Sequence, residues 1–282
     1  MKVLEKHPLT SDLKPYFSSF VEKYLSDYFI ETVQIIETKN DIQERALFFF
    51  VKTVNTLNGI NELFKTGNIV SARILMRSLF EIELQTKKMK NDGKTFLRYS
   101  KAYELFKNIE TCKIMLEETD NNDVISYFTE EELKNKIAHA ETKIKDLGFL
   151  PTGNKSNGKP HVLKYFEIKQ MAIDTDMEFL YKTSYKNLCM DTHTSSNHFY
   201  KYFIAEEDKK LLNLHPYLNE LDLMICTVVM FIRDMIDDFC GLLGLESNNL
   251  ANRQLQKLHL LAFNLLPKLV VQGKLKKYNK FI

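Results

Sequence analysis

Apolar residues recur at helical spacing along almost the whole chain, and few residues in it are typical of the turns between strands. Apolar positions three or four residues apart mark one face of an α-helix. The many short strands of a β-sandwich need frequent turns instead. The 282 residues include only nine Gly and six Pro, too few for such turns. We therefore predict an all-α fold, a multi-helix bundle of about nine helices with short connections.

Length and composition indicate one globular unit. A chain of 282 residues is near the upper size for one hydrophobic core. A hydrophobic content of 44% with 27% charged residues is ordinary for a soluble protein. We expect a single all-α domain over residues 1–282, with a core that bears the sequence motifs at about 65–202 and a C-terminal helical layer at about 217–271. Within that layer one long helix is predicted at about 217–245.

Charge, cysteine placement and hydropathy restrict the partners and the compartment. A net charge of +2 gives no general attraction for nucleic acid. The four cysteines are far apart and lack metal-finger spacing, so reduced thiols are expected. The most apolar run, Leu221 to Ile232, is short and is interrupted by Asp222, so it does not suit a bilayer. We expect a cytoplasmic protein that makes no membrane contact.

The stretch from Tyr181 to His198 has an unusual mixture of side chains on one predicted helical face. It lies in a helix expected at about 177–202. Within one stripe of about 140°, this helix carries Tyr181, Tyr185, Leu188, Cys189, Thr192, His193 and Ser196. Apolar residues that alternate with a phenol, a thiol and an imidazole are typical of a polar pocket wall inside a bundle.

The third predicted helix, about Ile69 to Met89, carries charged residues on an otherwise apolar surface. Arg73, Arg77 and Glu81 are four residues apart and share one face, which makes Arg77 and Glu81 a candidate ion pair. Apolar residues occupy this face and the opposite one, so the helix is expected to be central and the pair partly buried. Two interpretations remain open: the pair fixes the helix register, or both charges point into the pocket beside the Tyr181 stripe.

Together, these two helices resemble a bacterial all-helical family that is known only as a domain of unknown function. Its members combine an Arg-Ser-Leu-x-Glu helix with a later Tyr-x-x-Leu-Ser-x-x-x-His helix. The first element is matched by Arg77, Ser78, Leu79 and Glu81. The second element is matched by Tyr185, Leu188 and His193, with Cys189 where the family has Ser. The resemblance covers about residues 65–202 and implies a helical fold without assigning a reaction.

The second helix is also distantly similar to HEPN bundles, whose Arg-x(4–6)-His helix cuts RNA without a metal. Here Lys186 takes the place of the Arg, with six residues between it and His193. Asn187 offers an alternative spacing to His193, but without a cation. The similarity implies that His193 activates the 2′-hydroxyl, that Arg77 or Lys186 stabilises the phosphorane, and that Tyr185 orients the phosphate or leaving group. It also implies a toxin or phage-defence setting.

Two function classes remain open at this point. The first is an enzyme, a metal-independent ribonuclease or a related enzyme that acts on phosphodiesters. The second is a non-catalytic module that binds an anionic small ligand or a protein partner. In both classes the candidate binding or supporting residues are Glu81, Arg73, Cys189 and Ser196. A homo-oligomer is compatible with either class.

No cofactor and no metal are expected, because His193 and His198 lie on different sides of their helix and no Glu-x-x-His occurs. A non-functional interpretation of His193 also stays open. In it, His193 is a core histidine whose ring is hydrogen-bonded to Tyr185 or Glu81.

Overall fold

The computed structural model of the protein describes residues 11–35, 37–118, 128–150, 161–192, 203–206, 209–212, 220–247 and 249–271. Helices account for nearly all of these residues, which confirms the predicted all-α multi-helix fold. None of the helices in those ranges combines the length and the apolar character that a bilayer crossing requires.

The first half of the chain forms five helices. Helix α1 is continuous through three segments, Lys14–Ser19, a π-helical Phe20–Leu25 and Ser26–Ile35. The next four are α2 (Asp41–Thr66), α3 (Ile69–Asn91), α4 (Gly93–Glu118) and α5 (Glu130–Asp146).

The second half adds shorter helices and one hairpin. Two short helices are α6 (His161–Tyr165) and α7 (Ile168–Asp174). Helix α8 is continuous through Glu178–Leu180, a π-helical Tyr181–Tyr185 and Lys186–Thr192. An antiparallel hairpin of β1 (Phe203–Glu206) and β2 (Lys209–Leu212), which the sequence did not predict, pairs Phe203 with Leu212. The last helices are α9 (Leu221–Ile232), α10 (Met235–Leu243) and α11 (Leu250–Val271).

Capping residues explain why α2 and α3 form a pair of antiparallel neighbours. The Asn40 side chain begins α2 by accepting hydrogen bonds from the Ile42 and Gln43 backbone N–H groups, at 3.1 and 3.0 Å. Gly67 ends α2 in the left-handed conformation, with φ 75°, which glycine adopts without steric cost. Asn68 then begins α3 by accepting from Ser71 N. The chain therefore reverses direction within two residues.

Helix α3 is the central helix of the described fold. Helices α2, α4, α7, α8, α9 and α10 all contact it. Its residues Met76, Leu79 and Phe80 are fully buried, and the Phe80 ring packs against Phe231 of α9 at a centroid distance of 4.8 Å. The prediction that this helix is central is therefore confirmed. Helix α8 is one of the neighbours that cover it.

The single helix predicted at about 217–245 is broken into α9 and α10 at Arg233 and Asp234. The break directs the first turn of α10 at α3. As a result, Lys87 Nζ of α3 lies 3.4 Å from Asp234 Oδ2 and 3.3 Å from Asp238 Oδ2. Lys90 Nζ lies 2.5 Å from the other oxygen of Asp238. These ion pairs join α10 to the central helix.

Glu83 lies at the buried end of this ion-pair network. Lys87 Nζ is 3.2 Å from Glu83 Oε1, but the contact lacks hydrogen-bond geometry, and neither carboxylate oxygen has a hydrogen-bond partner among the described residues. Burial raises the pKa of Glu83 from 4.5 to about 8, with the Asp238 and Asp234 charges adding to the rise and Lys87 opposing it. We therefore expect Glu83 to carry a proton at neutral pH.

Replacing Glu83 with Gln should remove a pH dependence of stability. Because the pKa is higher in the folded state, the folded protein binds more protons than the unfolded chain between about pH 4.5 and 8, so stability falls as pH rises through this window. Relative to Glu83→Gln, the wild type should lose on the order of 3 kcal/mol of unfolding free energy between about pH 5 and pH 8. Urea denaturation at several pH values measures this.

The matched control for this prediction is Glu131→Gln, which changes an exposed carboxyl on α5. It should keep the wild-type pH profile. If the Glu83→Gln profile also follows the wild type, Glu83 is ionised in the folded protein and the assignment of a bound proton is wrong.

Candidate functional site

The π-helical turn of α8 determines which side chains α8 presents to α3. In this turn Lys186 N donates to the Tyr181 carbonyl, one residue further back than in an α-helix. Tyr181 and Tyr185, the first and last residues of this turn, have stacked rings at a centroid distance of 5.6 Å and an interplanar angle of 23°. Tyr185 is buried, and its hydroxyl is directed at α3.

Arg77 and Glu81 on α3 form a three-way hydrogen-bonded group with Tyr185 of α8. Arg77 Nε donates to Glu81 Oε1 at 3.0 Å and to the Tyr185 hydroxyl at 3.2 Å. The Tyr185 hydroxyl donates to the same Glu81 oxygen at 2.6 Å. We call these three residues the Arg77 cluster.

The Arg77 cluster lies at the boundary between core and solvent. The Arg77 and Glu81 side chains are 32% and 30% exposed. Burial raises the pKa of the Tyr185 phenol, and the hydrogen bond to Glu81 and its charge raise it further. Burial opposes the charge on Arg77, but the hydrogen bonds to Tyr185 and Glu81 raise its pKa. Arg77 thus stays a cation and Tyr185 stays a neutral donor at physiological pH.

Aromatic rings surround this polar group. The Tyr185 ring lies 5.0 Å from Phe80 on one side and stacks with Tyr181. Arg77 Cζ is 5.7 Å from the Tyr185 ring centroid, and the exposed Lys186 places its Nζ 5.6 Å from the Tyr181 centroid. Two cations therefore flank one aromatic stack, each at a distance where the ring quadrupole attracts it.

Arg73 lies one turn before Arg77 but occupies a different environment. The residue is only 4% exposed. Nη2 donates to the Asn187 carbonyl of α8 at 3.0 Å, and Nη1 points at the Met224 sulfur of α9 at 3.2 Å. Arg73 therefore joins α3 to two neighbouring helices, and its guanidinium is not presented to solvent.

Asn187 makes two hydrogen bonds in this region, one through its side chain and one through its backbone carbonyl. Its side chain donates to the Thr183 carbonyl inside the π-helical turn, at 2.7 Å, while its own carbonyl accepts from Arg73. A polar residue four positions after Thr183 is a weak signal, because such pairs also occur on ordinary solvent-facing turns.

The other predicted site residues are distributed around the Arg77 cluster. Cys189 is partly buried and packs against the main core. The neighbouring Lys182 side chain is 57% exposed and pairs with Glu178 at 2.6 Å. His193 and Ser196 lie outside the described residues. The structure thus joins Arg77, Glu81 and Tyr185 directly.

The charged groups of the site are one carboxylate and two cations. Glu81 pairs with Arg77, and the Lys186 ammonium lies near the Tyr181 ring. Over the described part of the chain, no three His, Cys, Asp or Glu side chains are grouped so that they could hold a metal.

These features define an all-α bundle with an arginine-centred polar cluster between α3 and α8. A family model described as "Family of unknown function (DUF5677)" matches residues 43–211. This match covers more than half of the chain and includes both helices of the cluster, so the chain belongs to that family. A search of curated proteins found no match, and a search of solved structures found none either.

Replacing Arg73 with Met should destabilise the fold. The change keeps much of the side-chain volume but leaves the Asn187 carbonyl without its donor, so we expect the unfolding free energy to fall by about 2–3 kcal/mol. Arg73→Lys keeps the positive charge but has one nitrogen in place of the two guanidinium donors. Its unfolding free energy should lie between those of Arg73→Met and the wild type. Urea denaturation measures all three.

The control is Arg253→Met, which removes an exposed arginine from α11 and should change stability little. If Arg73→Met is as stable as this control, Arg73 does not hold α8 on α3.

Proposed function

We propose that the Arg77 cluster is the phosphate-binding part of a site that cleaves RNA without a metal ion. The observation that carries this proposal is the fixed guanidinium of Arg77, held by Glu81 and Tyr185 while one third of its side chain remains exposed. A donor that is already oriented stabilises developing charge without reorganising during the reaction.

His193 is the base in this proposal. It directly follows Thr192, the last described residue of α8, and takes a proton from a ribose 2′-hydroxyl. The 2′-oxygen then bonds to phosphorus and the bond to the 5′-oxygen breaks. The 5′-oxygen takes a proton from water, which leaves a 2′,3′-cyclic phosphate and a 5′-hydroxyl. The phosphorane between these stages carries the negative charge that Arg77 and Lys186 stabilise.

The charges of the site support a role for both cations. Glu81 offsets most of the charge of Arg77 at a distance of 3.0 Å, so the surplus positive charge beside the aromatic stack comes from Lys186. Tyr185 donates its one hydroxyl hydrogen to Glu81, so in this proposal it orients the phosphate through Arg77, whose Nε donates to the same hydroxyl. The similarity to HEPN bundles supports RNA as the substrate and a toxin or phage-defence setting for this cytoplasmic activity.

A second candidate function is a non-catalytic module that holds an anionic small ligand at the same residues. The mutual hydrogen bonding of Arg77, Glu81 and Tyr185 supports it, because a closed group of this kind fixes a binding surface whether or not a reaction follows. Under this alternative His193 contributes to binding or to packing and transfers no proton.

Cleavage of a labelled single-stranded RNA in excess EDTA tests the proposal. The wild type should produce 2′,3′-cyclic phosphate ends. His193→Ala should reduce the rate by about 10²–10⁴-fold, as expected when a general base is lost, and Arg77→Gln by about 10²-fold or more. The matched controls are His139→Ala and Arg253→Gln, which change an exposed histidine and an exposed arginine elsewhere in the protein. Both should keep the wild-type rate.

The two candidate functions give different results in this experiment. A module without catalysis should leave the RNA intact but bind inorganic phosphate or a nucleoside monophosphate in calorimetry, and Arg77→Gln should abolish that binding. Cleavage that survives His193→Ala would contradict the assigned base. A protein that neither cleaves RNA nor binds phosphate would contradict both candidates.

A further inference from the structure

A second surface feature lies on α3, on the opposite side from Tyr185. An open groove of about 380 Å³ runs between α2 and α3, a volume within the range of about 300–1,000 Å³ that small-molecule sites occupy. The residues that line it are Phe48, Val51, Lys52, Asn55, Thr56 and Leu75.

The groove has a preformed apolar floor. At Gly59 the two helices approach so closely that an added Cβ would lie 2.9 Å from Leu75 Cδ1. Leu75 and Val51 are partly buried there, whereas Phe48 is 53% exposed. Ile74, the residue before Leu75 on α3, is 43% exposed. Exposed large apolar side chains that gather beside a groove mark a binding surface more often than scattered ones do.

The polar groups of the groove are few and different in kind. Lys52 is the one ionisable residue in the lining set, and it is positively charged. Asn55 adds an exposed amide that both donates and accepts. The Thr56 hydroxyl donates to the Lys52 carbonyl at 2.7 Å, so it offers mainly an acceptor. An aromatic ring, an amide and an ammonium group match the stacking face, the polar edge and the phosphate of one nucleotide.

We propose that this groove binds one unpaired nucleotide of a single-stranded RNA, with the base on Phe48, its edge at Asn55 and its phosphate at Lys52. The identity of the ligand as RNA rests on the proposed function of the Arg77 cluster. The substrate class is then single-stranded RNA, because a base held in the groove must be unstacked and unpaired, and a duplex offers no such base.

The groove and the Arg77 cluster can serve one strand. Leu75 and Arg77 belong to the same turn of α3 but lie on opposite sides of it, with Ile74 and Ser78 on the ridge between them. A helix with its side chains is about 10–12 Å across. A strand that crosses the ridge therefore reaches from the groove to the cluster within a few nucleotides.

Photocrosslinking tests this assignment. A short single-stranded RNA with one 4-thiouridine is irradiated with the full-length protein, and mass spectrometry then locates the modified peptide. We expect the crosslink within residues 48–56, and Phe48→Ala and Lys52→Ala should each weaken RNA binding roughly tenfold. The controls are Phe263→Ala, which removes an exposed ring from α11, and Lys113→Ala, which removes an exposed ammonium from α4. Both variants should bind RNA as the wild type does.

Several outcomes would overturn the groove proposal. It is wrong if Phe48→Ala and Lys52→Ala bind RNA as the controls do, if a duplex of the same sequence competes as well as the single strand, or if the wild type binds no RNA. It is also wrong if Phe48→Ala leaves the crosslink unchanged but converts an oligomer to a monomer in sedimentation, since the groove is then a protein interface.

The results also separate this proposal from the proposed catalysis. An RNA that crosslinks in the groove but is never cleaved supports the groove and contradicts the ribonuclease assignment. Cleavage that depends on His193 but is unaffected by Phe48→Ala and Lys52→Ala supports the ribonuclease and contradicts the groove.

Discussion

The charged side chains of α3 must find partners inside the bundle, since an ionised group that is buried without a partner costs several kcal/mol. Most of these partners come from neighbouring helices, and Glu81, which pairs with Arg77, comes from α3 itself. Arg73 and Arg77 are hydrogen-bonded to α8, and Lys87 is paired with two aspartates of α10. Lys88 contacts the last carbonyl of α6 at 2.8 Å and a carboxylate of α7 at 2.9 Å. The central helix thus fixes where its neighbours sit.

The candidate site is a consequence of the same requirement at the edge of the core. Arg73 and Arg77 are one turn apart on α3 and both contact α8, but their side chains are exposed to different extents, 4% for the residue Arg73 and 32% for the Arg77 side chain. Arg73 serves the packing of α8. Arg77 is held as firmly, by Glu81 and Tyr185, but it meets solvent and can meet a ligand. The difference in exposure arises from the positions of the two arginines along α3, because their side chains are chemically the same.

Spacing along the sequence was enough to predict the helical fold, the central position of α3 and the α8 face that carries Tyr185. It was not enough for features that depend on backbone hydrogen bonding or on the approach of two helices. The π-helical turn at Tyr181–Tyr185 and the break at Arg233 have no residue pattern of their own. The groove at Phe48 depends on a close contact at Gly59. The functional roles of Arg77, Tyr185 and His193 stay predictions.

The central claim is that Glu81 and Tyr185 act as one hydrogen-bonded unit that joins α3 to α8 around Arg77. A double-mutant cycle with Glu81→Gln, Tyr185→Phe and the double variant tests it most directly, with unfolding free energies measured in urea for all four proteins. We predict a coupling energy of about 1 kcal/mol, as for residues in direct contact. Effects that add to within about 0.3 kcal/mol, as for independent sites, would contradict the claim.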